Sequence, residues 1–158
     1  MLQIFTFKDK SLFSPIAHDL VFRVEPRVAV QSGAVEVRIA AATLTVWGKV
    51  VGGRVEPMSD RDHRDIEATT RDKVLDVAHH PEIVFRGEVG ATSVRGMLQL
   101  AGRTAPLEVV IVREGGRVRG NAELAPSRWG IKPYSALFGQ LRLQDRVRVE
   151  FDVAEPPG

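Results

Sequence analysis

The chain has 158 residues, which is the length of one domain. It contains no cysteine, which excludes disulfides, thiolate nucleophiles and zinc sites built on cysteine. Its 22 basic and 20 acidic residues give a formal net charge of +2. This balance does not predict nucleic-acid binding, which usually shows as a strong basic patch. No segment approaches the roughly 18 apolar residues that a membrane-spanning helix needs.

The N-terminal segment contains an apolar run, IFTF, that predicts a first strand. Lys8, Asp9 and Lys10 interrupt it, and the basic region, apolar region and cleavage site of a secretory signal are missing. If Met1 is the natural start, we expect a cytoplasmic protein. A chain trimmed of its signal would instead belong to the periplasm.

Alternation of apolar and polar residues dominates the rest of the chain and predicts half-buried strands. Seven such segments follow IFTF, at residues 20–24, 35–39, 83–89, 94–100, 107–111, 118–124 and 147–153. Gly90, Gly102 and the pair at 115–116 fall between them at hairpin spacings. About eight antiparallel strands in a meander can close into a barrel, which removes exposed edges. We therefore predict an all-β, antiparallel, barrel-forming domain over residues 1–155.

Residues 59–79 break the alternation and have apolar residues at roughly helical spacing. They predict one or two short helices, which Ser59 or Asp60 caps. Pro81 ends this segment, because proline disfavours a helical residue before it. The preceding stretch, 52–57, is interpreted as a loop.

The interior of an eight-stranded barrel is either filled by side chains or open to one small ligand. Small inward residues, Gly96, Gly120 and Ala122, favour open space, whereas a tapering packed core or bulges would also explain them. Both interpretations remain open from the residues alone. The inward side chains that we expect to line the interior are Phe22, Phe85, Leu98, Leu100, Val109, Leu124 and Phe151, with Trp129 near one end.

Four local patterns between residues 72 and 153 resemble the YceI-like family of bacterial lipid-binding or polyisoprenoid-binding proteins. They are VLDVAHHPEIVFRG, VRGMLQLAGRTAPLEV, SRWGIKP and FGQLRLQDRVRVEFDV. Their residues that carry the resemblance are Asp76, Pro81, Ile83, Phe85, Gly96, Leu98, Leu100, Gly102, Arg103, Leu107, Ser127, Trp129, Gly130, Ile131, Gly139 and Val147 to Val153. The first half of the chain resembles the family less, with His18 as a counterpart of an early strand histidine.

The resemblance implies a lipocalin-like barrel that carries or stores a long apolar ligand. Such a ligand would be a polyisoprenoid, a quinone-like lipid or a fatty acid derivative. It also implies a homodimer. No cofactor and no catalytic activity are expected.

Two alternatives stay open beside this hypothesis. One is a ligand-free barrel that serves as an interaction or stress-response module. The other is a hydrolase-type enzyme that uses His18 with Asp19 and Ser14, although neighbours in sequence rarely converge into a triad.

The remaining candidate residues are assigned to the cavity mouth or to the protein surface. His18 and Tyr134 are possible residues of the cavity mouth. Adjacent His79 and His80 do not form a metal clamp easily, so no metal site is predicted. Arg142, Arg146 and Arg148 are interpreted as a solvated strand face.

Overall fold

The computed structural model describes residues 1–9, 18–132, 135–136 and 141–157. These residues form twelve strands, and every strand pair among them is antiparallel. The strands are β1 (Leu2–Lys8), β2 (Asp19–Val24), β3 (Arg27–Gln31), β4 (Ala34–Ala40), β5 (Thr45–Val51), β6 (Arg54–Glu56), β7 (Glu82–Val89), β8 (Ser93–Leu100), β9 (Arg103–Glu114), β10 (Arg117–Leu124), β11 (Ser135–Ala136) and β12 (Leu141–Ala154).

The sheet closes on itself through one long hairpin. β2 continues into β3 after two residues, and β4 leads into β5 through a short 3-10 turn, Ala41–Thr43. The first arm of this hairpin pairs with β1 and the second arm pairs with β7, while β7, β8, β9, β10, β12 and β1 pair in that order. With each arm counted as one interrupted strand, eight main strands surround the interior in the described part of the chain. The prediction of an antiparallel barrel of about eight strands is confirmed.

Four of the described strands were not predicted from the sequence: β3, β5, β6 and the two-residue β11. Alternation was not recognised in β3 or in β5, which form the second half of each hairpin arm. The interpretation of 52–57 as a loop is wrong, because β6 occupies half of this stretch and pairs with β5. Only Gly52 and Gly53 form the turn, and both have the positive φ that glycine adopts without strain.

One α-helix, α1 (Asp60–Thr69), occupies the segment predicted to be helical. The Ser59 hydroxyl caps it by accepting a hydrogen bond from the Asp62 N–H at 3.2 Å. A π-helical turn, Thr70–Val74, extends it. The helical path stops at Asp76, whose φ of 49° is left-handed, so residues 76–79 form a turn instead of the predicted helix.

The two ends of the barrel differ in packing. The helix end, as we call it, is covered by α1 and by the 3-10 turn Pro126–Trp129, and there Ile66 and Trp129 are each 1% exposed. The hairpin end carries the β3–β4, β7–β8 and β9–β10 turns and no helix of the described chain. One end of the interior is therefore covered by helical segments, and the other is covered by turns in the described part of the chain.

Candidate ligand-binding cavity

The barrel encloses a cavity of about 500 Å³. This volume falls within the range of about 300–1,000 Å³ that is typical of sites for small molecules. Its wall is built almost entirely from the inward-facing apolar side chains of the strands, because alternate residues of each strand point to the interior. The arrangement offers burial to an apolar molecule and few polar contacts.

The burial of the cavity wall varies from residue to residue. Leu44, Leu98 and Leu100 line the cavity near the helix end and are buried. Val28 and Val35 line it near the hairpin end and are half-buried.

Most of the residues predicted to line the interior do so. Seven of them lie in the cavity wall: Phe22, Phe85, Leu98, Leu100, Val109, Leu124 and Phe151. Trp129 lies behind the wall, where it is buried and its Nε1–H donates to the Leu98 carbonyl oxygen at 2.8 Å. Contact of these residues with a ligand stays a prediction.

Of the two residues predicted at the cavity mouth, the structure describes only His18. His18 is half-buried directly before β2 and is not among the cavity-lining residues that the structure describes. Tyr134, Ser14 and Gly139 lie outside the described residues. The catalytic arrangement of His18, Asp19 and Ser14 therefore stays a prediction, because Ser14 lies outside the described residues.

Small inward residues were interpreted either as open space or as part of a packed wall, and for the two glycines the structure shows the second. Phe151 fills the space above Gly120, where an ideal Cβ would lie 2.6 Å from the ring Cε1. At Gly96 an ideal Cβ would lie 2.6 Å from the Gly87 Cα, because β7 and β8 approach closely. Ala122 does line the cavity. The open space comes from the diameter of the barrel and not from missing glycine side chains.

A bulge in β12 brings polar residues to the helix end of the cavity. Thr6 pairs with Val147 and Lys8 with Leu143, so β12 has two more residues than β1 over this stretch. As a result, consecutive residues 143–147 all appear in the cavity wall instead of alternating. Bulges re-aim side chains in this way. Sequence alternation alone did not reveal Gln144, Asp145 and Arg146 as lining residues.

Most polar groups at the bulge already have partners. Asp145 accepts hydrogen bonds from the Ser127 N–H at 2.9 Å and from the Ser127 hydroxyl. Gln144 Nε2 donates to the Lys8 carbonyl oxygen at 2.9 Å. Arg146 Nη2 lies 2.9 Å from Glu123 Oε1. This hydrogen bond holds the pKa of Glu123 below its ordinary value.

The hairpin end carries one ion pair. Arg113 Nε lies 3.4 Å from Glu155 Oε1, and both residues line the cavity. The two charges compensate each other, so this end offers no unbalanced charge among its lining residues.

The histidines serve local structure. His79 Nδ1 lies 2.9 Å from Asp76 Oδ1, and this hydrogen bond raises the pKa of His79 and lowers that of Asp76. His63 Nε2 contacts the Val46 carbonyl oxygen at 2.9 Å. Within the described residues, no group of three or more histidine and acidic side chains is placed to hold a metal ion. None of the described helices is long and apolar enough to cross a membrane.

Comparison with protein families gives one match. A family model described as "YceI-like domain" matches residues 9–154. A comparison with curated proteins found no match.

Three solved structures are similar to this chain. A polyisoprenoid binding domain from Saccharophagus degradans, implicated in plant cell wall breakdown, has a TM-score of 0.61 and 10% identity over 96% of this chain and 90% of that one. BcnA of Burkholderia cenocepacia has a TM-score of 0.55 and 14% identity over 96% and 92%. A mutant CJ YCEI protein with a monobromobimane guest has a TM-score of 0.54 and 12% identity over 96% and 92%. At these identities the likeness shows a shared fold.

Proposed function

Because the chain belongs to the YceI-like domain family, we propose that it carries or stores a long apolar ligand inside its barrel. The candidates are a polyisoprenoid, a quinone-like lipid and a fatty acid derivative. The observation that carries the proposal is the apolar cavity of about 500 Å³. A similar fold is named a polyisoprenoid binding domain in Saccharophagus degradans, which supports the same ligand class.

The energetics favour hydrocarbon in this cavity. Each CH₂ group moved from water into an apolar interior contributes about 0.8 kcal/mol. Ordering a flexible chain and fixing it in the protein reduces this gain. A long chain outweighs that cost because each added CH₂ group adds to the burial, so affinity is expected to rise with chain length until the cavity is full.

The test is to fill the cavity from its wall. Val109 points inward on β9 and is 9% exposed, whereas its neighbour Val110 points outward and is 48% exposed. We expect Val109→Trp to abolish saturable binding of methyl hexadecanoate to lipid-free protein, measured by calorimetry. Val110→Trp, the matched control, should bind as the wild type does.

The design includes a second variant in case the larger ring disturbs folding. Ala122→Phe projects a ring into the same cavity from β10. Equal binding by wild type, Val109→Trp and Ala122→Phe would overturn the proposal, because the ligand would then lie elsewhere. Absence of saturable binding to the wild type would overturn it as well.

Homodimer formation and cytoplasmic location stay predictions. Sedimentation at several protein concentrations checks the first. Fractionation of cells that express the native gene checks the second.

A further inference from the structure

The polar groups of the cavity wall concentrate at one place. Thr6, Lys132, Gln144, Asp145 and Arg146 line the cavity around the β12 bulge, at the helix end. We call this set the bulge pole. At the opposite end, Arg113 and Glu155 neutralise each other. A ligand with one polar end and one apolar end therefore meets two different environments.

Thr6 carries a hydroxyl at the bulge pole whose hydrogen has no acceptor among the described residues. It is only 6% exposed, and its side chain faces the cavity because Leu2 and Ile4, on the same face of β1, also line it. Its oxygen accepts a hydrogen bond from the Leu20 N–H at 3.3 Å. Among the described residues, no acceptor receives the hydroxyl hydrogen of Thr6. A buried donor without an acceptor is costly, so an acceptor from a ligand would be favoured here.

The other buried hydroxyl in the wall differs. Thr70 Oγ1 donates to the Ile66 carbonyl oxygen at 2.7 Å, inside the helical segment. Its hydrogen is thus used within the protein. Lys132, by contrast, is exposed at the bulge pole and has no ion-pair partner within the described part of the chain. The Thr6 hydroxyl and the Lys132 ammonium group are thus two donors of the bulge pole without a partner among the described residues.

From this geometry we propose that the bulge pole holds the head group of the ligand through a hydrogen bond from the Thr6 hydroxyl to a ligand oxygen. The head group is one that accepts hydrogen bonds, such as a carbonyl oxygen. The apolar tail extends toward the half-buried valines of the hairpin end. This inference rests on the proposed function, because it assigns the orientation and head-group chemistry of a ligand in the same cavity.

The test compares two probes with similar tails, hexadecane and methyl hexadecanoate. Thr6→Val removes the donor while keeping a branched side chain. We expect it to weaken the binding of methyl hexadecanoate by about three- to tenfold, which is the effect of one net hydrogen bond. The binding of hexadecane should not change. Thr6→Ser retains the hydroxyl and should restore wild-type affinity for the ester.

A matched variant outside the cavity completes the design. Thr104→Val removes a hydroxyl from an exposed residue of β9 that does not line the cavity, and we expect both probes to bind it as they bind the wild type. Because Thr6→Val also leaves the Leu20 N–H without its acceptor, a general disturbance of the barrel would weaken both probes equally. That result would overturn the head-group assignment, as would unchanged ester binding by Thr6→Val.

The outcomes separate the two proposals. If the wild type binds neither probe, the proposed function fails. If the wild type binds both probes and Thr6→Val changes neither, or changes both alike, the cavity binds lipid and only the orientation is wrong.

Discussion

The ring of Phe151 on β12 lies directly over Gly120, its paired residue on the neighbouring strand β10. An ideal Cβ at Gly120 would lie 2.6 Å from the ring Cε1 and 2.8 Å from the Val110 carbonyl oxygen. Real Cβ atoms do not approach other atoms this closely, so a side chain at this position must displace the ring. The Phe151 ring can occupy this position in the cavity wall because Gly120 has no side chain.

Replacing Gly120 with alanine is expected to destabilise the protein. The added methyl group pushes Phe151 from its position, and overpacking of this kind costs about 1–3 kcal/mol. Urea denaturation measures the loss.

The background Phe151→Leu provides the control for this effect. Leucine occupies less of the space above Gly120, so Gly120→Ala should cost clearly less in that background, as expected for two residues in contact. Equal costs in the two backgrounds would show that the ring is not the obstacle.

The two tryptophans are expected to differ strongly in their contribution to stability. Trp129 is 1% exposed and its Nε1–H donates a hydrogen bond to the Leu98 carbonyl oxygen. Trp129→Phe removes this hydrogen bond and leaves a cavity where the larger indole was packed, which together cost about 1–3 kcal/mol. Thermal denaturation of the variant measures the decrease in the free energy of unfolding.

Trp47→Phe is the matched control. Trp47 is 52% exposed, and the Arg23 guanidinium stacks on it at 3.6 Å from the ring centroid. An exposed contact of this type contributes about 0.5–1 kcal/mol, and phenylalanine retains part of it. Similar losses from the two substitutions would contradict the assigned role of Trp129.

Glu67 is expected to hold α1 against β5. Its side chain is 14% exposed; one carboxylate oxygen accepts the Val46 N–H at 3.0 Å and the other accepts from Arg71 at 3.3 Å. Glu67→Ala removes both acceptors, so we expect faster amide exchange at Val46 and a loss of about 1–3 kcal/mol. Glu67→Gln keeps an acceptor oxygen and should preserve most of the protection. Unchanged exchange at Val46 in Glu67→Ala would contradict this role.

Asp76 is expected to control the titration of His79. The hydrogen bond between them raises the pKa of His79, so their pairing stabilises the protein below that pKa and is lost as the pH rises through it. Because the pKa of Asp76 is lowered, the pairing is also lost as the pH falls through that lower value. The contribution is therefore greatest at pH values between the two.

Asp76→Asn tests this assignment, because asparagine tolerates the left-handed φ of 49° at this position. We expect the pKa of His79 to fall toward its ordinary value in an NMR titration. Glu123→Gln, on a distant strand, should leave the titration of His79 as it is. An unchanged pKa of His79 in Asp76→Asn would contradict the assignment.

Alternation in the sequence was enough to predict the inward faces of most strands. Phe22, Phe85 and Leu98 were assigned to the interior because they alternate along their strands with polar residues, and the barrel places them in the cavity wall. Ser59 and Asp60 were the two candidate helix caps because short polar side chains before a helix suit that role, and the structure shows Ser59 as the cap.

Other features depend on contacts that no local pattern encodes. The β12 bulge arises from the pairing of β12 with β1, and it moves Gln144 and Arg146 into the cavity wall. The sequence left open whether Gly120 marks open space or a packed wall, and the ring of Phe151, distant in sequence, fills that space. Thr6 lies in an apolar run, and only its position in the wall reveals an unused donor.

The most direct test of the account is native mass spectrometry of the protein purified from a bacterial host. The protein is measured as purified, after lipid extraction, and after addition of methyl hexadecanoate. We predict that one ligand mass per chain is bound at first, disappears on extraction and returns as one ester per chain. Bare protein at all three stages would contradict the claim that this barrel holds an apolar ligand.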